Sequence, residues 1–276
     1  MKKFFALLLT AAMLFAITAC DSKQNDNPDQ KNNDAQNNDS DTAKVYAVEA
    51  GSAGEEVANE NNWKINSVGS QADALMEVAS GTSDAAIIDL LMAGAMIGEG
   101  TSYPDLKYTD KLTTEEYGIG CRKGSDLASY INAVLAETYA SGKMQEIAKT
   151  YNITEDVLIP QSAVEFTPSS ENSDVAYIQN KGTLVVGITD FAPMDYEEVS
   201  GSGNWIGFDA DMAKLVAEKL GVTCQFIVID WDMKTNELDG KTIDVVWNGM
   251  TLTDGVKAAM ECTNAYCQNA QVVVTK

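Results

Sequence analysis

The sequence has 276 residues, of which 45% are hydrophobic and 22% charged, a composition typical of a globular protein with one large or two medium domains. Its formal net charge of −22 argues against a nucleic acid or an anionic membrane surface as a partner. It contains no histidine, which excludes histidine-based catalytic triads and histidine metal sites.

The N-terminal segment has the pattern of an export signal followed by a spacer. Two lysines precede an apolar run over 4–16 that is too short to favour a permanent membrane span. Small residues before Cys20 resemble a bacterial lipobox, so we expect a signal peptide over 1–19 and a lipid-modified Cys20; an ordinary signal peptide with an incidental cysteine is the alternative. Residues 20–43 contain no large apolar side chain and predict a flexible tether behind the anchor.

The pattern over residues 44–112 alternates between strand and helix, which favours a compact α/β unit. The stretch 45–48 predicts a strand, and the turn 51–54 leads into a helix whose first N–H groups can bind a carboxylate or another anion. Ser70 begins a capping-box-like helix start. A second buried strand ends in the carboxylate of Asp89.

A second block follows and leads into a linker. Residues 113–122 predict a strand that crosses between the blocks, and helices follow from Ser125 and after Gly142. Residues 159–174 contain two prolines and a serine-rich run, which is typical of a linker. We therefore expect two α/β blocks separated by this linker.

The segment after the linker has the most informative pattern. The apolar run 184–186 predicts a short buried strand that meets a turn containing Phe191, and such strand ends are where open α/β sheets bind ligands. A helix over 209–221 follows, with Asp209 as its cap and Gly221 just past its end. Further strands are expected over 224–229, 244–247 and 271–276, with a short helix over 234–238.

Four cysteines lie beyond the signal segment, and no C-x-x-C spacing suggests zinc or redox chemistry. Cys262 and Cys267 could pair if a turn brings them together. Separately buried thiols are favoured, because Cys121, Cys224 and this pair each lie within or beside an apolar strand pattern.

Residues 182–196 and 207–221 resemble the opening of the type-3 solute-binding proteins of amino-acid ABC transporters. In that family the segment begins the mature chain, whereas here it begins after residue 180. The resemblance extends over 44–276, but in exchanged order. It implies an α/β fold of the two-lobed periplasmic-binding-protein type II, circularly permuted, with the lobes joined at a hinge.

The resemblance also implies how the chain is divided. Lobe 2 would be 44–112, and lobe 1 would combine 113–158 with 175–276 through the permutation linker 159–174. One crossing near 113–118 would then join the lobes. A domain-swapped dimer, in which two chains complement each other, is the alternative.

The family's ligand-binding residues carry over where the motifs match. Phe191 and Trp231 match opposing aromatic walls of the cleft, and Asp89 matches the acid that binds the ligand's α-ammonium group. The remaining matches are the carboxylate-facing turn, a residue near the cleft mouth, and the loop that binds the ligand's main-chain groups: Ser52, Ala53, Gly54, Gln71, Asn248, Gly249 and Thr251.

One position departs from the family pattern. Val256 stands where the family has an arginine that binds the ligand's α-carboxylate bidentately, a contact that lysine reproduces poorly. Either Lys257 or the turn 51–54 then binds the carboxylate, or the ligand is not an ordinary α-amino acid.

The resemblance implies a lipid-anchored receptor on the outer face of the cytoplasmic membrane. It would bind a small polar ligand, most simply an amino acid, by hinge closure and deliver it to an ABC transporter permease, with no cofactor and no catalytic residue. Two alternatives stay open: a sensory or scaffolding module that has lost transport, and an enzyme of the dehydratase or peptidoglycan-cleaving type, for which Asp89 is the candidate acid.

Overall fold

The computed structural model describes residues 43–169 and 173–276. The predicted signal peptide, Cys20 and nearly all of the tether lie outside the described residues, as do 170–172 of the linker. Within the described ranges, no helix is long and apolar enough to cross a membrane.

The described residues form strands and helices in alternation. The strands are β1 (Val45–Glu49), β2 (Lys64–Val68), β3 (Ala85–Asp89), β4 (Lys107–Lys111), β5 (Glu115–Cys121), β6 (Thr183–Ile188), β7 (Tyr196–Glu197), β8 (Trp205–Ile206), β9 (Thr223–Val228), β10 (Val245–Thr251), β11 (Glu261–Cys262), β12 (Cys267–Asn269) and β13 (Gln271–Thr275). The helices are α1 (Ala53–Glu60), α2 (Gln71–Ser80), α3 (Leu90–Met96), α4 (Leu127–Ala140), α5 (Lys143–Thr150), α6 (Asp174–Lys181), α7 (Phe208–Leu220), α8 (Lys234–Asp239) and α9 (Asp254–Ala259). Short 3₁₀ turns lie at Glu155–Val157 and Trp231–Met233.

Two main sheets define two lobes, so the predicted two-lobed α/β fold is confirmed. The sheet of lobe 2 has the order β2-β1-β3-β13-β4, with β1 parallel to both of its neighbours. The sheet of lobe 1 has the order β11-β5-β10-β6-β9, with β12 also paired to β5. In lobe 1, β6 runs parallel to β9 and β10, and β5 runs antiparallel to β10.

Local signals set the helix ends largely as predicted. The Ser70 hydroxyl accepts a hydrogen bond from the backbone N–H of Asp73 at the start of α2. Gly221 adopts the left-handed conformation after α7. The expected cap of α7 is wrong: Gly207 is the capping position, and the buried carboxylate of Asp209 instead accepts hydrogen bonds from Tyr266.

The assignment of the last strand to lobe 1 is also wrong. β13 pairs antiparallel with β3 and β4 in lobe 2, where Val272 and Val274 are fully buried. Two chain segments therefore cross between the lobes, rather than one. They run side by side and are joined by hydrogen bonds from Leu112 N to Gln271 O (2.8 Å) and from Gln271 N to Thr113 Oγ1 (2.9 Å).

The four cysteines of the described residues are free thiols, as the apolar pattern favoured. Cys121 and Cys267 are buried, and Cys224 and Cys262 are partly buried. Burial raises the pKa of Cys121 well above its usual value, so this thiol is held in its unreactive form.

Candidate ligand-binding cleft between the lobes

A cavity of about 20 Å³ lies between the two lobes. This volume suits about one water molecule. Eight of the eleven predicted ligand-binding residues line it, together with Glu49, which was not among the residues predicted from the sequence. The eight are Ser52, Ala53, Gln71, Asp89, Trp231, Asn248, Gly249 and Thr251.

The topology explains why these residues meet. β1 and β3 are parallel neighbours, with Tyr46 opposite Ala85. Glu49 and Asp89, which end these two strands, therefore lie side by side at the same edge of the lobe 2 sheet. The end of β10 in lobe 1 faces this edge across the cavity.

Asp89 accepts hydrogen bonds from both lobes. Two of the donors, Asn269 and Gln271, lie on either side of residue 270, where the second chain segment crosses between the lobes. Its Oδ1 accepts from Tyr117 Oη (2.7 Å), from Gln271 Nε2 (3.1 Å) and from Asn269 Nδ2. Its Oδ2 accepts from Gln71 Nε2. Burial raises the pKa of Asp89 to about 7, and the neighbouring carboxylate charge on β5 contributes to the rise.

Glu115 belongs to the same hydrogen-bond network and lies next to the first crossing segment, residues 112–114. Its Oε2 accepts hydrogen bonds from Thr251 Oγ1 (3.0 Å) and Gln271 Nε2 (3.1 Å), and its Oε1 accepts from Thr113 Oγ1 (2.9 Å). Gln271 thus donates to both Glu115 and Asp89. Asp89 and Glu115 are therefore hydrogen-bonded to the two crossing segments, which have to bend if the lobes move.

Glu49 is the least satisfied carboxylate of the cavity. Its side chain is 2% exposed, and its Oε1 has no hydrogen-bond partner among the described residues. Burial raises the pKa of Glu49 to about 8; a hydrogen bond with Thr189 offsets part of this rise, and the charge of Asp89 adds to it. A buried oxygen without a partner usually marks an ion, a water or a ligand position.

Trp231 forms one wall of the cavity, and a lysine of the chain covers its ring. The Lys234 Nζ lies 5.0 Å from the ring centroid. It donates to Gly51 O in lobe 2 (2.9 Å) and to Trp231 O (3.1 Å), so it links the two lobes. Burial lowers the pKa of Lys234.

Phe191 does not line the cavity, so the two predicted aromatic walls do not face each other across it. The Phe191 ring is buried behind Gly249 and meets Tyr117 edge-on, with ring centroids 6.4 Å apart. A Cβ atom at position 249 would lie 2.5 Å from the Phe191 ring, and φ there is +56°, so glycine is needed at this point.

The C-terminal part of β10 lines the cavity, but its polar groups are already bound within the chain. The Asn248 amide donates to Asp195 Oδ2 (2.8 Å) and to the Thr189 carbonyl (3.0 Å). Gly249 N donates to Asp209 Oδ2 (2.7 Å). The Thr251 hydroxyl donates to Glu115, as described above.

Two other predicted residues also lie away from the cavity. Gly54 is buried against β3, where an added Cβ would lie 2.9 Å from the Ile87 carbonyl oxygen. Lys257 is exposed on α9, and its carbonyl accepts a hydrogen bond from Lys123 Nζ. Val256 packs against the apolar cluster that contains Trp231.

Two larger hollows flank the cavity along the interlobe cleft. The one beside α2 has about 470 Å³ and is lined by Asp73, Asp190, Asp230 and Glu237, among others. The one beside α1 has about 460 Å³, and its acidic residues are Glu56, Glu60, Glu115 and Glu116. Within the part of the chain that the structure describes, no lysine or arginine lines the cavity or either hollow. Acidic side chains therefore predominate in the lining of the cleft, which suits a cationic group.

Comparison with known proteins finds a family model that matches the C-terminal part of the chain. Residues 184–276 match the family model of bacterial extracellular solute-binding proteins, family 3. The chain is 30% identical over 97 residues to the arginine-binding extracellular protein ArtP of Bacillus subtilis (strain 168), a match that covers 35% of this chain and 37% of that protein. It is 31% identical over 90 residues to the L-cystine-binding protein TcyJ of Escherichia coli (strain K12), covering 32% of this chain and 33% of that protein. The chain thus spans well under half the length of these relatives.

Segments of two solved structures of solute-binding proteins are also similar in sequence to this chain. A substrate-binding protein of an ABC uptake transporter from Streptococcus pneumoniae with bound histidine is 38% identical, with a TM-score of 0.29 over 30% of this chain and 34% of that chain. An ancestral cationic amino acid solute-binding protein is 36% identical, with a TM-score of 0.29 over 31% of this chain and 37% of that chain.

Proposed function

We propose that this chain, whose residues 184–276 match the family model of bacterial extracellular solute-binding proteins, family 3, is an extracytoplasmic receptor for a small ammonium-bearing ligand. The simplest such ligand is an amino acid, which the receptor would deliver to an ABC importer. The observation that carries this proposal is the cavity between the lobes, where two carboxylates of lobe 2 face Trp231 of lobe 1. Binding would require contacts from both lobes at once.

The binding step is a closure of the lobes around the ligand. The cavity of about 20 Å³ is too small for an amino acid, so the lobes have to separate before a ligand can enter. The two adjacent crossings at 112–114 and 270 are the segments that would bend. A ligand that contacts both lobes then stabilises the closed form, since it binds that form more tightly than the open one.

The exchanged order of the two halves supports circular permutation. β1 and β13 flank β3 in the lobe 2 sheet; β1 is parallel to β3 and β13 is antiparallel to it. The start of β1 and the end of β13 therefore lie at the same edge of the sheet, about 10 Å apart at the usual strand spacing. A short connection between residues 276 and 44 would restore the family order.

The location of the receptor is proposed from the N-terminal sequence. The lipobox-like residues before Cys20 and the polar tether over 20–43 suit a lipid anchor on the outer face of the cytoplasmic membrane, with the binding lobes held near a permease. Labelling of cells with a radioactive fatty acid tests the anchor: we expect incorporation into the wild-type chain and none into Cys20→Ala.

Ligand binding is tested with a panel of amino acids and the amines that correspond to them. We expect at least one compound to raise the melting temperature of the purified chain and to reduce its radius of gyration in small-angle scattering. Asp89→Asn should weaken this response, whereas Glu218→Gln, which removes an exposed carboxylate on α7, should leave it unchanged. A panel without any stabilising compound would contradict the receptor function.

One observation keeps the enzyme alternative in view. The pKa of Asp89 is raised to about 7, a value that suits a general acid in the cleft. The acidic hollows on both sides argue against anionic substrates such as prephenate-like acids. Turnover assays on such acids and on cell-wall fragments distinguish the two functions, and we expect no turnover.

A further inference from the structure

We infer that the ligand of this cleft is an organic cation without a carboxylate, such as the amine that remains when a basic amino acid loses its carboxyl group, and that Glu49 binds its ammonium group. The inference rests on the proposed receptor function and narrows its ligand class. It depends on two observations. The donors that could bind a ligand carboxylate are already occupied within the chain, and a buried carboxylate oxygen in the cavity has no donor among the described residues.

The arginine that could bind a carboxylate is committed elsewhere. Arg122 is the only arginine of the whole sequence. Its Nε donates to Asp174 Oδ2 (3.0 Å), its Nη1 to the Ile243 carbonyl (2.8 Å), and its Nη2 lies 3.4 Å from Asp244. These contacts hold the guanidinium within lobe 1, and Arg122 does not line the cavity.

The helix start that could bind a carboxylate already carries one from the chain. Glu55 Oε2 accepts a hydrogen bond from Gly51 N (2.8 Å), and Ser52 Oγ accepts one from Glu55 N (3.2 Å). Glu55 and Glu56 both lie in the first turn of α1. Their charges offset the positive end of the helix, so a ligand carboxylate gains little there.

The donors in the C-terminal part of β10 are likewise occupied by carboxylates of the chain. Gly249 N is bound to Asp209, and the Thr251 hydroxyl is bound to Glu115. A ligand carboxylate at this wall would have to displace one of these acids, and it would then lie beside a cleft that is already negative.

Glu49 provides the contact that awaits a cation. Its side chain lines the cavity and is almost completely buried, and its Oε1 is unpartnered within the described part of the chain. The nearby Lys234 is held by Gly51 O and Trp231 O, and does not donate to Glu49 in any described hydrogen bond. An ammonium group in the cavity would give Oε1 its missing donor, and the Trp231 side chain, which lines the same cavity, would contact the adjoining methylene groups.

The two flanking hollows are also lined by acidic residues and could bind further cationic groups. The acidic residues on both sides of the cavity leave room for a second cationic group of an elongated ligand. The shared feature of the fitting compounds is therefore one or more ammonium or guanidinium groups on an aliphatic chain, without an acid group.

The test compares two pairs of compounds that differ only in the carboxylate: agmatine with arginine, and cadaverine with lysine. Isothermal titration of the purified wild-type chain gives the four affinities. We expect each amine to bind more tightly than its amino acid, by about tenfold, because a desolvated carboxylate without a donor costs binding energy. An amino acid that binds as tightly as its amine, or more tightly, would overturn the inference.

The variant Glu49→Gln keeps the size of the side chain but removes its charge. We expect it to lose about tenfold or more of the affinity for both amines, with Glu218→Gln as the matched control on an exposed surface. An unchanged affinity in a variant that retains its melting temperature would refute the role of Glu49. If amino acids bind and amines do not, the ligand class is wrong while the receptor function stands; if neither class binds, both proposals fail.

Discussion

The raised pKa of Glu49 makes amine binding depend on pH. Glu49 binds an ammonium group only when it is ionised, yet burial raises its pKa in the ligand-free chain to about 8. With that pKa, about 3% of Glu49 is ionised at pH 6.5 and about 75% at pH 8.5, so the affinity for an alkylamine should rise about 25-fold across this interval. An alkylamine stays protonated over the whole range because its own pKa is about 10.

Two other titratable groups near Glu49, Asp89 and Lys234, also influence how the affinity for an amine depends on pH. Asp89, with a pKa of about 7, adds an increase of about fourfold over the same interval if it also has to ionise. The charge of Lys234 opposes the rise in the pKa of Glu49, and burial lowers the pKa of Lys234 itself. The stability of the ligand-free chain changes with pH in the opposite direction to its affinity for the amine. Because the pKa of Glu49 is higher in the folded form than in the unfolded chain, the free energy of unfolding falls as pH rises from about 4.5 to about 8.

Calorimetry in buffers of different ionisation enthalpy measures the linkage directly. We expect cadaverine binding at pH 7 to release about one proton, with a smaller further contribution from Asp89. The variant Glu49→Gln should release less than wild type and should retain only the weaker pH dependence. A wild-type affinity that is constant between pH 6.5 and 8.5, or proton uptake on binding, would refute this reasoning.

Three further predictions test the lobes, the specificity and the chain order. Lys234→Met removes the interlobe hydrogen bond to Gly51 O and should destabilise the closed form by about 1.5–3 kcal/mol; scattering should then show a larger ligand-free radius of gyration, and an unchanged radius would contradict it. Val256→Arg should shift the preference from agmatine towards arginine by about tenfold or more, since a bidentate arginine–carboxylate pair becomes possible; titration that detects no shift would mean that position 256 does not face the ligand. A variant in which a short loop joins Lys276 to Lys44 and the chain is opened within the linker should unfold cooperatively at nearly the same temperature, as followed by circular dichroism; a failure to fold would count against circular permutation.

The local patterns of the sequence determined most of the elements and many of the cleft residues. Apolar runs of strand length and capping residues such as Ser70 act over a few neighbouring positions, so they can be read directly from the sequence. The resemblance to a known family added the positions at the strand ends, and eight of those eleven residues line the cavity.

Only the tertiary structure decided which polar groups are already satisfied. Gly249 N is bound by Asp209, 40 residues away, and the Asp89 carboxylate is bound by Asn269, 180 residues away. Local sequence cannot anticipate such partners, because each hydrogen bond depends on how distant segments pack. The same is true of Glu49, which by sequence is one acid among 41 and becomes distinctive only because it is buried at the cavity with its Oε1 unpartnered among the described residues.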